Sequence, residues 1–123
     1  MRYHPETAPD PEEWLATPEE DRLDAARRHH QRAKQDTGRL HAHAAIHVIV
    51  ENQLAEGHAA AIAALNRLIA EGLRRHEAVH AIGSIVAVEM FEVVKSKRPH
   101  DPEAYARRLQ QLTAAVWRTG GQE

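Results

Sequence analysis

Residues 74–97 read RRHEAVHAIGSIVAVEMFEVVKSK. Ile82, Ile85, Val86, Val88, Phe91 and Val94 run through this stretch with no turn signal and no apolar/polar alternation until Pro99. A largely apolar run of this length is a helix and not a strand, and proline ends it. Working upstream, the alanine-rich residues from about His58 to Glu71, with Ile62, Leu65, Leu68 and Ile69, form a helix that Gly72 closes. From Arg39 to Glu56, Leu40, Ala44, Ile46, Ile49, Val50 and Leu54 recur at helical spacing up to Gly57. Thr17-Pro18-Glu19-Glu20 is a capping box with proline at the first helical position, and it opens a helix to about Gln35 that Asp36-Thr37-Gly38 stops. Downstream, Asp101-Pro102-Glu103 caps a last helix ending near Gly120-Gly121. Pro5, Pro9 and Pro11 make residues 1–16 an extended arm whose Trp14 and Leu15 dock on the domain. The expectation is an all-α fold: a compact bundle of about five helices in one domain, residues 17–123, with an extended proline-rich N-terminal arm.

Composition narrows the function classes. A chain of 123 residues has room for a core of its own and reads as one domain. Sixteen basic against eighteen acidic residues leave a net charge of −2, so no field draws nucleic acid or an anionic membrane, and neither partner is expected. With no cysteine, disulfides and thiolate ligands are excluded, and any metal must be held by imidazole and carboxylate. That donor chemistry favours zinc, iron, manganese, nickel or copper over an iron–sulfur cluster. The longest apolar run, Ala59 to Leu65, is far short of the ~20 residues that span a bilayer, and no apolar signal core opens the chain. The expected compartment is the cytoplasm.

Eight of the ten histidines fall between His29 and His80. His76-Glu77-Ala78-Val79-His80 is an H-E-x-x-H pattern, and His43, His47 and Glu51 form a ladder upstream. A random chain of this composition holds about 0.08 copies of H-E-x-x-H, so the pattern gains its weight from the second ladder. Imidazoles four residues apart on a helix share a face with Cβ atoms about 5–6 Å apart, close enough to reach one ion at about 2.0–2.1 Å. His43, His47 and Glu51 lie within an arc of ~80° that includes Leu40 and Leu54, so this ladder points partly to the core. His76 and His80 continue through Gly83 and Ala87 along a stripe of small residues. With these two stripes facing, His47, Glu51, His76 and His80 form a four-ligand nitrogen and oxygen site. His43, Asn52, Gln53 and Glu77 are candidates for a further ligand or for support of the liganding imidazoles.

Three chemistries fit such a site. In a zinc hydrolase, His76 and His80 bind the metal and Glu77 is the general base on its water, but a strand to align a peptide has no candidate here. In a di-iron bundle, His47-x-x-x-Glu51 followed by His76-x-x-x-His80 is similar to the central ligands of hemerythrins, and Glu77-x-x-His80 matches one ferritin-like copy where two are needed; a homodimer is one way to supply the second. A single structural or regulatory zinc or iron asks for the least. Against all three stands a cofactor-free structural or protein-interaction domain.

Asp10-Pro11-Glu12-Glu13-Trp14-Leu15, His43 to Ala55 with its H-x-x-x-H-x-x-x-E-N-Q-L-A pattern, and Arg75-His76-Glu77-Ala78-Val79-His80-Ala81-Ile82-Gly83 together resemble a small bacterial family of unknown function. A second uncharacterised bacterial family with an H-E-A-x-H motif is distantly similar. The resemblance covers roughly residues 10 to 95 and implies a helical domain in which these motifs belong together; it implies no activity. Elsewhere the plain reading is structural. Arg27 to Arg32 and Lys95 to Arg98 are solvated helix faces with basic ends that suit the helix dipole. At least one of Glu89 and Glu92 is exposed, and Trp117 belongs to the core.

Overall fold

The computed structural model describes residues 1–32 and 40–120, and of residues 30–32, 40, 41 and 120 the backbone alone. Seven helices and no strand occur among the described residues, so the fold is all-α. None of these helices is long and apolar enough to cross a membrane. The chain divides into two compact units, residues 1–58 and residues 59–123.

The first unit holds α1 (Pro11–Ala16), α2 (Glu19–Arg32) and α3 (Leu40–Ala55). The helix α1 lies inside the stretch expected to be an extended arm. Its cause is local: the Asp10 carboxylate accepts from Glu13 N at 3.1 Å, Pro11 stands in the first turn, and Glu12 and Glu13 suit the dipole. Thr17 therefore closes α1 instead of capping α2, its hydroxyl donating to Glu13 O at 2.7 Å. Pro18 O takes the first amides of the next helix, Asp21 N and Arg22 N, at 2.9 and 3.1 Å. The stop expected at Asp36-Thr37-Gly38 lies outside the described residues.

Trp14 docks as expected, fully buried, whereas Leu15 is exposed. Trp14, Tyr3, Ala25, Ala26, Ala44 and Val48 form the core of this unit, with Leu23 and Ala55 packed on it. The polar edge of Trp14 is satisfied by Asn52, whose Oδ1 accepts from Trp14 Nε1 and from Arg22 Nη1, each at 2.8 Å. Arg22 also donates to Thr17 O at 2.8 Å and to Leu15 O at 2.9 Å, so one guanidinium ties the end of α1 to α3. The α2 segment read as a solvated basic face departs from that reading at His29, whose half-buried ring meets Tyr3 and His4 edge-on at 6.2 and 5.4 Å between centroids. Gly57, at φ +80°, ends α3 with His58 N bonded back to Gln53 O at 2.9 Å.

The second unit holds α4 (Ala59–Ala70), α5 (Arg75–Ser96), α6 (Pro102–Gln111) and α7 (Ala114–Gly120). Gly72, at φ +106°, repeats the glycine stop, with Leu73 N on Leu68 O at 3.0 Å. The helices α4, α5 and α6 pack on one another and bury Leu68, Ile82, Tyr105 and Leu109. The last expected helix is broken at Leu112 and Thr113. There Arg67 of α4 donates to Leu109 O at 2.6 Å and Leu112 O at 2.8 Å, while Glu71 Oε1 accepts from Ala114 N at 2.8 Å. Side chains of α4 thus satisfy the carbonyls that end α6 and an amide that begins α7, which makes the break stable. Asp101 caps α6 as expected, through Glu103 N and Ala104 N at 3.0 and 3.2 Å, and Trp117 is buried.

The helix α5 ends before proline acts on it: Lys97 takes the left-handed conformation, φ 59°. Its first half is buried along Ala78, Val79, Ala81, Ile82 and Gly83; in its second half only Val86 and Glu89 are. Glu89 is paired with Arg108 at 2.8 Å, and Arg108 also grips the exposed Glu92 through both oxygens at 2.9 and 3.0 Å. The hydrogen bond to Glu92 raises the Arg108 guanidinium above its usual range. Val88, Met90, Phe91 and Val94 lie exposed.

Candidate metal centre

The buried stripe of α3 runs Ala44, His47, Val48, Glu51, at helical spacing i, i+3, i+4, i+7. Two of its four positions carry polar side chains, 1% and 2% exposed for His47 and Glu51. A buried carboxylate and imidazole are tolerated only when hydrogen-bonded. Tyr3 meets that need: its hydroxyl donates to Glu51 Oε2 at 2.6 Å and lies 2.9 Å from His47 Nδ1. The tyrosine is itself 1% exposed, its ring 5.6 Å from that of Trp14 and edge-on to His47 at 5.7 Å. Two residues on, Pro5 is buried within a turn closed by Thr7 N on His4 O at 3.0 Å.

The other expected residues of α3 fall as follows. His43, one turn before His47, is half-buried, as is Gln53. Asn52, expected beside a liganding imidazole, spends its carbonyl oxygen on Trp14 and Arg22 instead.

In the second unit, α5 opens at Arg75 without a side-chain cap, so His76 and Glu77 stand in its first turn. A carboxylate there is favoured by the helix dipole. One turn on, His80 brings its ring to 4.4 Å from that of His76, tilted 66°. Both imidazoles are half-buried, as is Glu77. The H-E-x-x-H pattern therefore forms the side-by-side imidazole pair that its spacing predicts, on regular helix.

Sequence reasoning missed Tyr3. The prolines are the local signal in the arm, and nothing local marks a tyrosine whose partners lie 44 and 48 residues away. The one available signal was indirect: a core-facing Glu51 has to be satisfied by a donor from elsewhere in the chain.

No protein-family model, no curated protein and no solved structure matches the chain.

Proposed function

We propose that this protein binds one divalent metal ion, with His47, His76 and His80 as its ligands. What supports the reading is that each unit by itself presents imidazoles at ligand spacing: α5 holds the His76 and His80 rings 4.4 Å apart, and α3 carries His47 buried on a regular helix face. Imidazoles four residues apart on one helix can reach a common ion at about 2.0–2.1 Å. Three neutral imidazoles suit zinc or iron(II) and leave a fourth position for water or a ligand oxygen. In this reading Glu51, expected among the ligands, acts on His47 through Tyr3, whose hydroxyl donates to Glu51 Oε2, and Glu77 keeps the role of a general base only if a hydrolytic activity is found.

Untagged protein stripped with chelator and titrated calorimetrically with zinc is expected to take up one equivalent. Replacing His80 with alanine removes one of three ligands and is expected to weaken binding at least 100-fold. An apoprotein that takes up no zinc, or a His76→Ala, His80→Ala double variant that binds as the parent does, overturns the proposal.

One observation favours the interaction reading as well. Phe91 and Val94, 63% and 77% exposed, lie with the exposed Met90 on the second half of α5, and such an apolar stripe suits association with a second copy of the chain. Sedimentation of the parent and of Phe91→Glu decides it: a dimer that the substitution dissociates supports the reading, and a monomeric parent removes it.

A further inference from the structure

The tyrosine hydroxyl between Glu51 and His47 has one proton and two neighbours that compete for it. A carboxylate can only accept, and at 2.6 Å the Tyr3–Glu51 contact has the length of a charge-assisted O–H···O⁻ bond. The Tyr3 proton is therefore committed to Glu51 Oε2. What remains for His47 is a lone pair on the Tyr3 oxygen, so the nitrogen 2.9 Å away, Nδ1, has to carry a hydrogen and donate. A neutral imidazole protonated at Nδ1 has its lone pair on Nε2.

We propose that Glu51 and Tyr3 are positioning residues, a carboxylate–phenol relay that locks His47 as its Nδ1–H tautomer and presents Nε2 for coordination. The inference rests on the metal reading for its purpose, though the tautomer itself does not depend on a metal. In many metal sites a carboxylate accepts directly from the ligating imidazole, fixing its tautomer and raising its basicity. Here the tyrosine is inserted between the two. Free imidazole favours hydrogen on Nε2, which would block coordination through that atom, so the relay removes a rearrangement that binding otherwise requires. It also makes the N-terminal segment part of the centre: Tyr3 reaches the relay only while residues 1–9 hold their place against α3.

The test uses the full chain, uniformly 15N-labelled and metal-free. Long-range 1H–15N correlation spectra are expected to show His47 protonated at Nδ1 in the parent and to lose that preference in Tyr3→Phe, which keeps the ring and deletes the hydroxyl. Zinc affinity is expected to fall about 10- to 100-fold in Tyr3→Phe, the usual cost of removing a partner of this kind. Glu51→Gln retains an acceptor without the charge and is expected to weaken zinc less. Cobalt(II) bound to Glu51→Gln is expected to keep the parent's visible spectrum, since no ligand is altered. Hydrogen on Nε2 of His47 in the parent, zinc affinity unchanged in Tyr3→Phe, or a cobalt spectrum altered in Glu51→Gln each overturns the relay, the last by making Glu51 a ligand. If the parent binds no zinc the metal reading fails, and the spectrum of His47 alone still decides the relay.

Discussion

At the scale of single residues, the first unit is organised by polar atoms that burial forces into pairs. Asn52 Oδ1 serves two donors, the Trp14 indole and the Arg22 guanidinium. Deleting it leaves a buried N–H without its acceptor, so Asn52→Ala is expected to cost about 1–3 kcal/mol in urea unfolding. Trp14, fully buried, is expected to cost about 3–5 kcal/mol as Trp14→Ala, through lost burial and the cavity left behind. If Asn52→Ala unfolds at the parent's midpoint, the bond to Trp14 carries no weight. At this scale His76 and His80 were legible because i, i+4 spacing on a helix dictates proximity on its own. Tyr3 and the true partners of Asn52 were not, since they depend on how distant segments pack, which spacing along the chain does not encode.

At the scale of elements, the sequence uses one grammar of helix starts and the structure applies it consistently. Asp10-Pro11-Glu12 opens α1 as Asp101-Pro102-Glu103 opens α6. The second is legible as a start, whereas three prolines within the first eleven residues mask the same cap in the first. Asp101→Ala is expected to cost about 1 kcal/mol, the usual loss for a helix cap, measured as a lower unfolding midpoint. The break between α6 and α7 had no signal in its own residues, for it is made by Arg67 and Glu71 of α4. Arg67→Met, which keeps the apolar stem and removes the donors, is expected to destabilise the protein by about 1–3 kcal/mol. Exchange of the amides of residues 109–117 would then speed up ahead of the rest; unchanged protection there contradicts this role. The two glycine stops, Gly57 and Gly72, were legible and hold, both at positive φ.

At the scale of the whole molecule, the all-α class follows from periodicity, and the absence of cysteine limits the donors open to any metal to imidazole and carboxylate. The division between the two units falls at His58, directly after the glycine that ends α3. A metal that binds only the folded chain adds stability by mass action, about 2.7 kcal/mol at a free concentration 100 times Kd. Zinc is therefore expected to raise the melting temperature of the parent by several degrees, with the rise reversed by chelator and absent in a His76→Ala, His80→Ala double variant. The most direct measurement is X-ray absorption at the zinc edge of protein loaded with one equivalent. The account predicts three imidazole nitrogens at about 2.0–2.1 Å and one further light atom; a shell with fewer than three imidazoles, or one completed by a Glu51 oxygen that disappears in Glu51→Gln, contradicts it.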